Sequence, residues 1–195
     1  MKINFKNIIA TSLVFCLLLT GCGNDKGIDA PKLEELQSYG MENVKQTEKF
    51  KDYILTDYKI SEGNIEYVFT GIDDENKVLT VICKNATFEE YNKSLPEVEL
   101  SSTFINGMEC RFIDRTVHYV PEGYVPDERV KKNVAKGTTE IKYGNSVEAL
   151  LPIQKYYWYD NENSMEYIVE SMGQYYSLEE MGEIVLNFMK KAEKE

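Results

Sequence analysis

Few side chains in this sequence are equipped for chemistry. Beyond residue 22 there are two thiols, Cys83 and Cys110, and the chain's one imidazole, His118 in RTVHYV. A thiol catalyst needs a base, and His118 is the sole candidate. A zinc site needs three or four ligands, and a lone histidine without clustered cysteines does not supply them. In an exported domain Cys83 and Cys110 could form a disulfide, provided that their strands bring the α-carbons within about 7 Å. The competing reading is two buried free thiols. Gly144-Asn145-Ser146-Val147-Glu148 begins like a serine-nucleophile elbow but lacks its second glycine, and neither a P-loop nor a GxGxxG fingerprint is present. Asp73, Asp74 and Glu75, and again Asp160, Glu162 and Ser164, place oxygens near one another as calcium loops do. Both lack the glycine and distal glutamate of an EF-hand, and Asp and Asn turn chains readily without a metal. No catalytic residue, metal ligand set or cofactor site is therefore assigned.

Two features have another kind of chemistry. In Gln154-Lys155-Tyr156-Tyr157-Trp158-Tyr159, alternation along a strand puts Tyr156 and Trp158 on one face and Tyr157 and Tyr159 on the other. One pair belongs to the core. The other, taken as Tyr156 and Trp158, is a candidate stacking surface for a sugar or peptide. The second feature is Cys22. Lys2 and Lys6 precede an apolar run over residues 8–19, too short to span a bilayer, and the run ends in Leu19-Thr20-Gly21-Cys22. This resembles the lipobox of bacterial lipoproteins. The resemblance implies removal of residues 1–21 as a signal peptide, a thioether-linked diacylglycerol on Cys22, and acylation such as palmitate at the new amino terminus. It also implies display on the outer face of the cytoplasmic membrane.

Two acyl chains suffice for stable anchoring, since each buried methylene contributes about 0.8 kcal/mol. Charge contributes nothing to that attachment. The 195-residue chain has 22 basic and 33 acidic residues, and without residues 1–21 the acidic excess grows because Lys2 and Lys6 leave with them. Such a surface disfavours nucleic acid and docking on anionic headgroups.

The elements that must position these residues follow from periodicity. Residues 22–30 read as the lipidated cysteine and a flexible spacer, and residues 31–195 as one extracytoplasmic domain. Residues 31–53 suggest two short helices or one kinked at Gly40. Residues 53–60, 64–70 and 77–83 alternate between turn-rich separators, which predicts an antiparallel meander. Asn106-Gly107 predicts a two-residue hairpin turn. Strands are expected over 115–120, 138–143, 147–153, 154–159 and 165–171, with residues 121–136 the longest loop. The last element is a helix: Leu178, Met181, Ile184, Val185, Phe188 and Met189 share a face, Ser177 and Glu180 form a capping box, and Lys190, Lys191 and Lys194 suit its final turn. Thr87 and Glu90 form a similar box, so residues 53–95 and 138–193 could be a weak duplication. The expected class is α+β, a curved antiparallel sheet with the carboxy-terminal amphipathic helix packed on it.

Tyr119-Val120-Pro121-Glu122-Gly123-Tyr124, Tyr157-Trp158-Tyr159-Asp160, Tyr167-Ile168-Val169 and Ser177-Leu178-Glu179-Glu180-Met181 carry a second resemblance. They are similar to an uncharacterised extracytoplasmic domain of low-GC Gram-positive lipoproteins and anti-sigma-like proteins, over about residues 119–190. That likeness implies an α+β domain and no activity. The function expected is non-catalytic binding of an unidentified protein or envelope component. The alternatives are a carrier or chaperone for an apolar ligand and a carboxylate-based wall hydrolase.

A Cys22→Ser chain is expected to lose lipid labelling and to leave the membrane or remain unprocessed. Unchanged labelling contradicts the lipobox assignment.

Overall fold

The computed structural model describes residues 27–105 and 107–189. Among them are nine strands and four helices. The strands are β1 (Lys49–Phe50), β2 (Tyr53–Ser61), β3 (Asn64–Gly71), β4 (Val78–Asn85), β5 (Ser101–Ile105), β6 (Met108–Val120), β7 (Thr139–Tyr143), β8 (Ala149–Asp160) and β9 (Met165–Met172). The helices are α1 (Leu33–Ser38), α2 (Phe88–Ser94), α3 (Glu128–Ala135) and α4 (Leu178–Phe188). One curved, open sheet runs β1-β2-β3-β4-β9-β8-β6-β5, with β7 also pairing β6. Every pairing is antiparallel except β6 with β7, so the α+β expectation holds and the sheet is mixed rather than wholly antiparallel.

Register explains the core. Cys83, Tyr167, Trp158 and Cys110 stand in one row across β4, β9, β8 and β6. Tyr67, Val81, Val169 and Tyr156 form the next row on the same face. Against these rows α4 buries Met181, Ile184, Val185 and Phe188, all at 0 % exposure, while Leu36, Met41 and Val44 close the side. Burying side chains of this size stabilises by about 1.5–3 kcal/mol each. Ser177 and Glu180 cap α4 reciprocally as expected, and Thr87 and Glu90 do the same for α2. The lysines read into the last turn of α4 lie outside the described residues.

Several expectations need correction. The spacer ends earlier, because the Ile28 amide donates to the Leu55 carbonyl at 2.8 Å and Ala30 packs on the core. Residues 31–53 hold one helix, α1, before β1, and Gly40, at φ 68°, ends the helical stretch. Residues 147–153 and 154–159 are one strand: β9 stops pairing at Ile153, so Pro152 interrupts no ladder on that side. The supposed loop over 121–136 contains α3, capped by Asp127. Only Val130 of that helix is buried, too little apolar periodicity to read. Ile105 pairs with Met108, which closes the expected two-residue hairpin; Asn106 itself lies outside the described residues.

The other sheet face carries α2. The Tyr91 ring stacks on Tyr159 with centroids 5.5 Å apart, and the Tyr91 hydroxyl donates to the Tyr157 carbonyl. The two helices with capping boxes, α2 and α4, thus lie on opposite faces, an arrangement that a duplication about an axis normal to the sheet would not give. Beneath α2, Glu166 is 1 % exposed and its Oε1 accepts from Ser94 Oγ at 2.5 Å. Burial pushes this carboxyl above its usual 4.5, against the Ser94 bond and the charges of Lys84 and Lys155. Folding therefore favours the neutral acid. The contribution is complete below about 4.5 and is lost as pH rises through the folded value. Glu166→Gln is always neutral, so its melting temperature should exceed that of the wild type by a few degrees at pH 7–8, the gap closing towards pH 4. A gap independent of pH contradicts this.

Candidate functional site

The β6–β8 pairing continues to Tyr119 and Ala149, beyond the end of β9. This leaves a three-stranded arm of β7, the second half of β6, and residues 149–152 of β8. Two loops close its tip, 121–127 and 144–148. Gly123 and Gly144, both at φ 94°, make the tight turns there, a backbone region in which a β-carbon is strained. The Asn145 amide donates to the Val120 carbonyl at 3.1 Å, tying the second loop to β6.

His118 is buried at the root of this tip. Its Nε2 lies 2.6 Å from Glu148 Oε1, and its ring meets Tyr124 edge-on with centroids 5.1 Å apart. The histidine pins both loops to the arm. Above it, residues 142–150 are all exposed, including Tyr143, Val147 and Leu150, and Val125 on the other loop is 80 % exposed. Val125 and Val147 stand on the two loops and Tyr143 and Leu150 on the adjoining ends of β7 and β8; apolar side chains gathered on an exposed surface mark interaction sites.

A second arrangement lies where the arm joins the body. Gln154, 1 % exposed, donates from Nε2 to the Tyr176 carbonyl at 2.9 Å, and its Oε1 accepts from the Tyr176 amide at 2.5 Å. Asp114 accepts from Gln154 at 3.3 Å and from the Tyr156 and Tyr175 hydroxyls at 3.5 and 3.2 Å. The Asp114 charge pushes the exposed Tyr175 phenol up, and burial, followed by Asp114, does the same to Tyr156. Asp114, Arg115, Asn133, Thr139, Gln154 and Tyr175 border a cleft of about 290 Å³. With its carboxylate engaged by three donors, the cleft is lined by hydrogen-bonding groups. A second hollow of about 390 Å³, bordered by Asn85, Thr87, Glu90 and Asn163, is likewise polar.

The residues singled out in the sequence are placed otherwise than expected. Cys83 and Cys110 are free, buried thiols at the two ends of their row. Three strand spacings separate them, roughly 14 Å, where a disulfide needs α-carbons about 4.4–6.8 Å apart. The bridge is excluded by the insertion of β9 and β8 between their strands. Tyr156 and Trp158 are no ligand surface: they are 1 % and 0 % exposed, stacked on each other beneath the helical layer. Tyr157 on the opposite face is covered too, at 4 %. Asp74 accepts from the Asn76 amide and side chain, and Asp160 from the Glu162 and Asn163 amides, so both close turns. Among the described residues no group of three or more His, Cys, Asp or Glu could hold a metal ion. Cys22 lies outside the described residues. The strands of the arm are expected from the sequence, but exposed valines in a polar stretch carry no periodicity that marks its tip as a surface.

No protein-family model, curated protein or solved structure matches the chain. The likeness over residues 119–190 to lipoprotein and anti-sigma-like domains thus rests on the residues quoted for it.

Burial pushes both thiols up, Cys110 to about 12. Neither should react with a thiol reagent at pH 8 in the folded chain, and both should react after denaturation without prior reduction. A requirement for reductant contradicts the placement.

Proposed function

We propose that this protein is a lipid-anchored extracytoplasmic lipoprotein with a non-catalytic binding role, and that the tip of the arm is its contact surface. The observation that carries the reading is the group of exposed apolar side chains at Val125, Tyr143, Val147 and Leu150, fixed from below by the His118–Glu148 hydrogen bond. Its ligand is a protein or envelope component with a complementary apolar patch. The acidic excess of the chain keeps the rest of the surface from indiscriminate contact. The lipobox supports anchoring, and among the described residues no helix is long and apolar enough to cross a membrane.

One observation favours a carrier. The Tyr67 hydroxyl and the Trp158 indole N–H are buried without hydrogen-bond partners on the α4 side of the sheet. That layer is filled by Leu36, Met41 and Phe188, so a ligand there requires α4 to lift away. Binding at the arm requires no such rearrangement and is the preferred reading.

Val147→Asp combined with Leu150→Asp alters only exposed positions, so folding and membrane attachment should be unchanged. Co-purification of bound envelope components from detergent-solubilised membranes should fall by about ten-fold or more, the loss expected when central apolar contacts are removed. Undiminished co-purification contradicts the reading.

A further inference from the structure

We propose that the outer edge of β7 pairs with the same edge of a second copy of this chain, joining two sheets about a twofold axis through Ile141. The inference does not depend on the anchoring or on the binding role of the arm.

The hydrogen-bond pattern shows which groups are free. β7 runs parallel to β6 with Thr116 opposite Thr139, and the Thr116 amide donates to the Thr138 carbonyl at 2.9 Å. In a parallel ladder, even-numbered residues of β7 then turn their amides and carbonyls towards β6, and Thr139, Ile141 and Tyr143 turn theirs outward. Among the described residues no hydrogen bond reaches those outward groups. Glu140, Lys142 and Tyr143 are exposed, and Thr139 and Ile141 are half-buried.

An antiparallel partner must oppose outward-turned residues to outward-turned residues, which leaves three self-pairings of this strand. Centred on Glu140 or on Lys142, the twofold places like charges directly opposite each other, which is destabilising. Centred on Ile141, it places Glu140 opposite Lys142 of the other copy, twice by symmetry. Those two positions are the non-hydrogen-bonded pairs, in which side chains approach most closely. Ile141 faces itself, Thr139 faces Tyr143, and the half-exposed Tyr143 ring gains a diagonal Ile141 neighbour. A lysine on an edge strand ordinarily deters pairing. Here its complement stands two residues away in the same strand. Within one chain Glu140 lies 4.0 Å from Lys142 and 3.8 Å from the half-buried Arg115, and Lys142 Nζ stands 5.8 Å from the centre of the Tyr119 ring, long contacts that hold little energy and are easily exchanged.

The test is light scattering on the full chain purified in detergent, over roughly 1–100 µM, where small interfaces dissociate. The wild type should dimerise reversibly. Lys142→Glu should weaken the dimer by about ten-fold or more, because it opposes two pairs of carboxylates. The double variant Glu140→Lys with Lys142→Glu should restore it, with circular dichroism confirming that all three chains fold. A monomeric wild type, a dimer insensitive to Lys142→Glu, or a double variant that stays monomeric would each overturn the proposal. Loss of co-purified envelope components with the dimer intact concerns the arm tip alone.

Discussion

The antiparallel seam between β4 and β9 is the interaction on which the remaining structure depends. It joins the amino-terminal meander to the carboxy-terminal strands through eight residue pairs, from Val78 opposite Met172 to Asn85 opposite Met165. Neither half could bury its aromatic face alone. With the seam closed, Tyr67 and Phe69 from one half and Trp158 and Tyr156 from the other form a continuous apolar surface, and α4 has something to cover. Phe188 at the end of that helix touches both Tyr67 and Phe69, at centroid distances of 5.7 and 5.6 Å. The alignment that satisfies the backbone of β4 and β9 also determines which side chains α4 meets.

The arm follows from the same pairing. β6 and β8 are longer than β9, so their excess length has no neighbour on the β9 side and projects. Gln154 and Asp114 mark the transition, holding Tyr175 and Tyr176 where the sheet narrows. Past them the buried residues of the arm strands are Val117, His118 and Val120, and the apolar side chains of the tip face outward. Stability is thus concentrated in the body, and the segment available for contacts is carried away from it on three paired strands.

Much of this was legible in the sequence wherever a local rule decides the outcome. The capping boxes at Thr87 and Ser177 work through hydrogen bonds spanning three residues, and the apolar stripe of α4 is periodic. Both are present, although Leu178, counted in that stripe, is 37 % exposed and Met189 lies past the end of the helix. What depends on partners distant in sequence was not. Alternation along residues 154–159 correctly separates Tyr156 and Trp158 from Tyr157 and Tyr159, yet it cannot reveal that α2 and α4 cover both faces. The thiols were each assigned to a strand, but their separation depends on strand order, and β9 enters between them from the far end of the chain. Helix α3 escaped notice because Val130 is its only buried side chain.

The central claim is that the tip of the arm, and not the broad sheet or its polar clefts, is where this protein meets its partner. The most direct measurement is photo-cross-linking in intact cells, with a photoreactive residue placed at Val147 or, for comparison, at Val98, an exposed position outside the arm. Adducts of defined mass from Val147 and none from Val98 are the predicted result. Equal adducts from both positions, or adducts from Val98 alone, would contradict it.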